Sequence, residues 1–152
     1  EIFKDLMKKE GITSEAIFEV AERPTTTKVR VIADNQHIVR IDKEVKTDID
    51  LRTEDRIMSY LKSKADSIDG IILQDYNKGV LTKALISKVS DFAMENEILI
   101  TVDPKFKNFF EYKNVTLFKP NRSETEQAYG IKIEDEDDLK KAGQRLLTDL
   151  NA

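Results

Sequence analysis

The segment with the most evident chemistry runs from residue 119 to residue 124 and reads Lys-Pro-Asn-Arg-Ser-Glu. Asn121 and Glu124 in it are separated by two residues, after an apolar run and before a helical pattern. This spacing puts both side chains on the first turn of a helix. An amide and a carboxylate there can hold the waters around Mg²⁺, which prefers oxygen ligands. The free N–H groups of the same turn, which also contains Arg122 and Ser123, attract phosphate.

The same spacing also fits a purely structural role at the start of the helix. In a capping box, Asn121 accepts a backbone N–H of the first turn and Glu124 reaches back to the N–H of Asn121. The spacing alone favours neither the ligand site nor the cap, so both interpretations stay open at this point.

Two further polar segments of this kind, each directly after a strand, are expected at the same edge of one sheet. We call each such segment a corner. Short apolar runs at Ile71–Leu73, Ile98–Val102 and Val115–Phe118 read as buried parallel strands. They end at residues 74–79, 103–105 and 119–124 respectively. Ligands of open α/β sheets bind at the carboxyl ends of the strands, so these three corners should face one ligand site.

The first two corners contain charged residues that suit a phosphorylated polyol. Lys78 and Lys105 can each place a positive charge near a phosphoryl group, and the alternative is that they are ordinary surface lysines. Asp75 and Asp103 can accept hydrogen bonds from hydroxyl groups, and the alternative is that they cap the turns that follow.

A β-hairpin is predicted ahead of these corners. Pro24 precedes two β-rich runs, Thr27–Ala33 and Gln36–Asp42, which are separated by Asp34-Asn35, a pair that tolerates tight turns. One face of the hairpin is charged and is either simply solvated or part of a lid over an anionic substrate. The charged residues of that face are Lys28, Arg30 and Arg40.

Composition narrows the class of protein. A net charge of −4 argues against nucleic acid as the main partner. The chain has no Cys and a single His, so neither a disulfide framework nor a zinc site is expected. No apolar run approaches the roughly 20 residues that cross a bilayer, and no signal peptide is visible. These features predict a cytoplasmic protein without a membrane partner.

The remaining pattern predicts an α/β fold with helices around a partial Rossmann-like parallel sheet, plus the hairpin. Three parallel strands are few for a doubly wound sheet, and the chain closes on a helical pattern without a following strand. We therefore expect a piece of a longer α/β chain. Segment Ile12–Val20 is ambiguous between a loop and a strand. The predicted helices are Ile2–Lys9, Asp48–Lys64, Lys83–Glu95 after an N-cap at Thr82, a short helix from Ser123 to Gly130, and Leu139–Leu150.

Five motifs in order resemble those of the ribokinase-like carbohydrate kinases, and within that family most of all the kinases of heptose 7-phosphate. The resemblance covers about Pro24 to Gly130. The motifs lie at residues 25–31, 35–42, 74–79, 102–105 and 119–124.

The resemblance implies ATP-dependent phosphorylation of the anomeric hydroxyl of a heptose 7-phosphate, in the synthesis of the lipopolysaccharide core. It assigns Asn121 and Glu124 to the nucleotide and Mg²⁺ site. It places Asp75, Lys78 and Lys105 near the sugar or phosphate. The hairpin, with Lys28, resembles a lid that covers the sugar and often makes a dimer contact.

The same resemblance indicates missing parts. The family's glycine-rich sugar motif and its Gly-Ala-Gly-Asp segment, which supplies the general-base aspartate, do not occur in this sequence. Residues 1–152 are thus expected to be the inactive centre of one kinase domain, with a lid at 24–45 and an α/β core part at 46–152. A homodimer through the hairpin or an open sheet edge is expected. The alternatives are another ribokinase-type sugar or nucleoside kinase, or a non-catalytic α/β binding or assembly module.

Overall fold

The computed structural model describes residues 2–152, and its elements confirm the predicted α/β class. Within these residues a two-stranded antiparallel sheet and a three-stranded parallel sheet are accompanied by helices. The elements in chain order are α1 Ile2–Lys9, β1 Thr27–Ala33, β2 Gln36–Lys43, α2 Leu51–Ser63, β3 Gly70–Gln74, α3 Lys83–Glu95, β4 Leu99–Asp103, β5 Leu117–Phe118, α4 Arg122–Tyr129 and α5 Glu136–Leu150.

The parallel sheet has the order β3-β4-β5, with Leu73 paired to Val102 and Val102 to Phe118. The third strand is shorter than the predicted run at 115–118. Its ladder continues through the side chain of Thr116, whose hydroxyl accepts from the Ile100 N–H at 3.0 Å. The Thr116 N–H in turn donates to the Ile100 carbonyl at 2.9 Å. A side-chain bond thus replaces part of the expected strand pairing.

One face of the parallel sheet is packed and the other is bare. On the packed face, Leu73, Ile100 and Val102 join α2 and α3 in one hydrophobic cluster that includes Tyr112. Parallel sheets are normally buried on both faces. Here the second face leaves apolar side chains in the open, and their exposed fractions are 75% for Ile72, 58% for Leu99 and 54% for Leu117.

The hairpin forms as predicted, and its turn residues Asp34 and Asn35 both have positive φ, at 47° and 61°. That geometry matches the twist of the strands. A register shift follows Val31, and every hairpin residue except Asp42 is exposed. Its uncharged face is an apolar strip made of Val29, Val31, Val39 and Ile41, which no other described residue covers. The ambiguous segment 12–20 contains no strand.

Helix starts follow local rules that the sequence displays. Thr82 caps α3, as predicted: its Oγ1 accepts a hydrogen bond of 3.0 Å from the Leu85 N–H. The acidic run at 134–138 belongs to the start of α5, where Asp135 accepts the Asp138 N–H at 2.9 Å. No helix within residues 2–152 is both long and apolar enough to cross a bilayer.

Gly79 gives the first testable prediction. It has φ +76°, and an added Cβ would lie 2.0 Å from the Thr47 carbonyl oxygen. Gly79→Ala is therefore expected to lower the free energy of unfolding by about 2 kcal/mol or more, measured by urea denaturation. The control Gly143→Ala, in α5 and with open space around it, should raise it by about 0.5–1 kcal/mol. Equal stability of the Gly79→Ala and unsubstituted proteins would contradict this account.

Candidate functional site

The three predicted corners lie together at one edge of the parallel sheet, which we call the rim. The rim comprises residues 75–79 after β3, 103–105 at the end of β4, and 119–124, which run from the end of β5 into the first turn of α4. The Asp75 N–H donates to the Asp103 carbonyl at 3.0 Å, and the Lys119 N–H donates to the Val102 carbonyl at 2.9 Å. Strand pairing therefore continues into the corners and holds them side by side.

Asn121 and Glu124 form the capping box of α4. The Glu124 N–H donates to Asn121 Oδ1 at 2.8 Å, and the Asn121 N–H donates to Glu124 Oε2 at 2.9 Å. The other oxygen, Glu124 Oε1, is bonded to the ammonium of Lys105, which raises the pKa of that lysine. Lys105 thus links the second corner to the third. Both the capping interpretation and the predicted closeness of Lys105 hold, while Arg122 and Ser123 are exposed beside them.

The donor atoms at this corner suit Mg²⁺ only through its water shell. Both Glu124 oxygens and Asn121 Oδ1 already accept protein hydrogen bonds. No group of three or more potential metal-ligating His, Cys, Asp or Glu side chains occurs within residues 2–152. Because Mg²⁺ keeps several waters in sites of this kind, oxygen atoms that accept hydrogen bonds from those waters fit the ion better than direct ligation does.

Asp103 joins the second corner to the third by a second contact. Its Oδ1 lies 2.9 Å from Lys119 Nζ, and its Oδ2 accepts a hydrogen bond from Gln74 Nε2. Those two bonds lower the pKa of the Asp103 carboxyl, with Lys119 the larger cause. The side chains that join the second and third corners are therefore already partnered with one another.

Asp75 is buried at the base of the first corner, with only 3% of its surface exposed. Its Oδ2 accepts from the Tyr112 hydroxyl at 2.7 Å, and its Oδ1 accepts from the Asn77 N–H at 2.7 Å. The second bond is the turn-capping role that the sequence left open. A direct bond from this carboxylate to a polyol stays a prediction, since both of its oxygens already have a protein donor.

A cleft of about 350 Å³ separates the first corner from the hairpin. Three of the four predicted substrate residues, Lys28, Asp75 and Lys78, lie around it, while Lys105 lies at the neighbouring corner. Tyr76, 67% exposed, is an aromatic group that can pack on a ligand here. The full lining is Thr26, Lys28, Gln74, Asp75, Tyr76, Lys78, Val80 and Leu81.

The two lysines of this cleft differ in their partners. The Lys78 ammonium pairs with Glu44, a carboxylate just after the hairpin, and this bond is the largest cause that lowers the pKa of Glu44 to about 2. Lys28 has no carboxylate within 4 Å among residues 2–152. The unneutralised charge of the cleft is therefore on Lys28, which an anion entering from solvent can reach.

Sequence reasoning did not identify three residues that shape the site: Glu44, Tyr112 and Arg23. Glu44 partners Lys78, Tyr112 partners Asp75, and the Arg23 side chain donates to the carbonyls of Thr47 and Lys78. Each contact joins residues at least 24 positions apart, and no local spacing rule signals such a pair. The nearest signal is that Arg23 and Glu44 flank the hairpin, a position that a lid hinge would occupy.

The fold is that of ribokinase-like kinases. Phosphofructokinase-2 from Escherichia coli, in a crystal structure with potassium, superposes with a TM-score of 0.68 at 18% identity, over 97% of this chain and 48% of that chain. A phosphofructokinase described as putative, from Staphylococcus aureus, gives a TM-score of 0.64 at 14% identity, over 96% and 46%. Identities this low show the fold alone.

A model of the pfkB family carbohydrate kinases matches residues 1–151, and the chain belongs to that family. It is similar to the bifunctional protein HldE of Geobacter sulfurreducens, with 44% identity over 90% of this chain and 28% of that protein. HldE of Helicobacter hepaticus is 42% identical over 91% and 29%. The chain thus spans less than a third of the length of these curated relatives.

The buried Tyr112–Asp75 contact gives the second prediction. Tyr112→Phe leaves Asp75 Oδ2 without its donor, so the free energy of unfolding should fall by about 1–3 kcal/mol, measured by urea denaturation. The matched control is Tyr129→Phe, which removes an exposed 2.8 Å bond to Asp149 and should cost less than about 1 kcal/mol. Equal losses in the two variants would contradict the importance of the buried bond.

An absorbance titration tests the same contact. Burial, reinforced by the bond to Asp75, raises the pKa of Tyr112, whereas the pKa of the less buried Tyr129 rises to about 12. Tyr129 should therefore ionise before Tyr112 as pH rises. Ionisation of Tyr112 in the ordinary range of tyrosine would rule out its buried position.

Proposed function

We propose that the chain is the central part of an ATP-dependent kinase that phosphorylates the anomeric hydroxyl of a heptose 7-phosphate. One observation carries the proposal: three separate corners converge on a single rim and bring Lys105, Glu124 and Asp75 together beside a cleft. Curated relatives at about 40% identity are named as the bifunctional protein HldE, which fits a heptose kinase better than other members of the family.

We further propose that residues 1–152 are one part of a single kinase domain, with the lid at 24–45 and an α/β core part at 46–152. The bare sheet face supports this, because a parallel sheet with Ile72 and Leu99 open to solvent lacks its second layer. The general-base aspartate and the glycine-rich motifs would come from the rest of the parent protein. The isolated chain is then inactive.

In this proposal the third corner holds the nucleotide. The N–H groups of Arg122 and Ser123 at the start of α4 face incoming phosphate, and the helix dipole favours its charge. Mg²⁺, when bound with ATP, neutralises charge on the phosphates. Glu124 and Asn121 would orient its waters. Lys105 is close enough to exchange Glu124 for a phosphoryl oxygen, and phosphoryl transfer depends mainly on such positioning and charge stabilisation.

The sugar phosphate would occupy the cleft between the hairpin and the first corner. Lys28 has no carboxylate partner in the part of the chain that the structure describes, and it can bind the 7-phosphate as a point charge. Lys78 is held by Glu44 and would donate to a sugar hydroxyl or exchange partners with the anion. Tyr76 would pack against the ring. Asp75 would act chiefly by fixing the backbone of the corner.

Two further expectations belong to this proposal. The parent protein would work in the cytoplasm, where ATP is available. It would form a homodimer through the hairpin or an open sheet edge. The apolar strip of the hairpin supports the first of these, because its four adjacent apolar side chains have no cover within residues 2–152.

The substrate is tested with the full-length protein, ATP and Mg²⁺ against a panel of heptose 7-phosphate, fructose 6-phosphate, fructose 1-phosphate and ribose. Heptose 7-phosphate should give a kcat/KM at least about 100-fold above the others, since buried polar groups discriminate strongly between hydroxyl patterns. Turnover of another sugar without turnover of the heptose would favour the alternative, a different ribokinase-type kinase. No turnover of any sugar would favour a non-catalytic module.

The nucleotide corner is tested by Glu124→Gln in the same full-length protein. Gln can still complete the capping box, so the helix should persist, while the charge beside Mg²⁺ is lost. KM for MgATP should rise about tenfold, equivalent to about 1.4 kcal/mol, and KM for the sugar should stay within about twofold. The control Glu134→Gln, at an exposed position before α5, should change neither value. An unchanged KM for MgATP in Glu124→Gln would remove Glu124 from the nucleotide site.

A further inference from the structure

Arg23 connects parts of the chain that are distant in sequence. It lies directly before Pro24 and the hairpin, and its side chain is half-buried. One guanidinium nitrogen, Nη1, donates to the carbonyl of Thr47, and the other, Nη2, donates to the carbonyl of Lys78. The guanidinium is therefore bound to two backbone oxygens and makes no ion pair with a carboxylate within residues 2–152.

Those two carbonyls belong to the segments that the cleft depends on. Thr47 lies between the end of β2 and the start of α2, so it marks the exit of the chain from the hairpin. Lys78 is in the first corner of the rim. Since Arg23 itself marks the entry to the hairpin, one side chain joins the entry, the exit and the corner.

Backbone contacts tighten the same junction. The Ile49 N–H donates to the Gly79 carbonyl at 2.8 Å, and Gly79 packs so closely against Thr47 that no Cβ fits between them. A second side-chain link runs between Lys78 and Glu44, and the Glu44 side chain is only 9% exposed. The base of the hairpin is thus fixed to the corner, while the strands above it are exposed.

The cleft opens between the two parts that this junction joins. Thr26 and Lys28 line it from the hairpin side, and Tyr76 and Lys78 line it from the corner side. A rotation of the hairpin about its base would change the distance between Lys28 and the corner. The angle at the base therefore controls whether both sides can contact one ligand.

We propose that Arg23 is a positioning residue that clamps the base of the hairpin to the Asp75–Gly79 corner and thereby sets the opening of the sugar cleft. This inference rests on the proposed function, because it names what holds the two walls of that binding site. Arg23 does not touch the substrate. Its planar fork spans two carbonyls at once, which a lysine ammonium, a point donor, does not reproduce.

The test uses Arg23→Lys in the full-length protein. KM for the heptose 7-phosphate should rise about tenfold, a factor that corresponds to about 1.4 kcal/mol, while KM for MgATP stays within about twofold. The control is Arg52→Lys, at an exposed position on α2, which should change neither. Glu44→Gln, which removes the other link, should raise KM for the sugar in the same direction.

Hydrogen–deuterium exchange gives a readout that does not depend on turnover. In Arg23→Lys the peptide that contains Ile49 should exchange faster, whereas peptides from α3 should not change. An equal rise of both KM values, or an unchanged sugar KM with unchanged exchange at Ile49, would overturn the inference. If the unsubstituted protein phosphorylates no sugar, the proposed function fails, and the exchange at Ile49 still decides whether Arg23 holds the base.

Discussion

The rim depends on the hydrogen bonds that the buried Asp75 carboxylate accepts. A charged group with 3% exposure is costly unless its oxygens are hydrogen-bonded, and here Tyr112 and the Asn77 N–H supply the donors. The backbone N–H of Asp75 simultaneously continues the strand pairing to Asp103. One residue therefore anchors the first corner to the core and to the second corner.

Three lysines at the rim form ion pairs in which a ligand phosphate can take the place of the carboxylate. Lys105 binds Glu124, Lys119 binds Asp103 and Lys78 binds Glu44. Each of these lysines keeps 33% or more of its side chain exposed, so a phosphate arriving from solvent can reach the ammonium and replace the carboxylate. The rim is thus compatible with anionic ligands without carrying a large unbalanced charge, in keeping with the net charge of −4.

Local patterns were enough to predict most of the elements. The cap at Thr82 and the turn at Asp34-Asn35 lie within a few residues of what they determine, and the sequence shows both partners. For the site, the sequence predicted which three segments come together but not which side chains within them are paired. The pairs Tyr112–Asp75 and Lys78–Glu44 join residues 37 and 34 positions apart, and no local spacing rule predicts such contacts.

The length of β5 was also hard to predict because its pairing depends on residues that are distant in the sequence. Val115 and Thr116 have strand-like character, but the bond from Ile100 N to the Thr116 hydroxyl depends on where β4 places its N–H groups. At Asn121 and Glu124, the local spacing suited a cap and a ligand corner equally. The structure displays the cap directly, and the nucleotide role stays a prediction.

The most direct test of the rim as the ligand site is a crystal structure of the full-length protein with a non-hydrolysable ATP analogue, Mg²⁺ and heptose 7-phosphate. We expect the nucleotide phosphates against the start of α4, beside Lys105, and the sugar phosphate between Lys28 and Tyr76. A nucleotide bound away from the rim, or a sugar bound on the far side of the sheet, would contradict it.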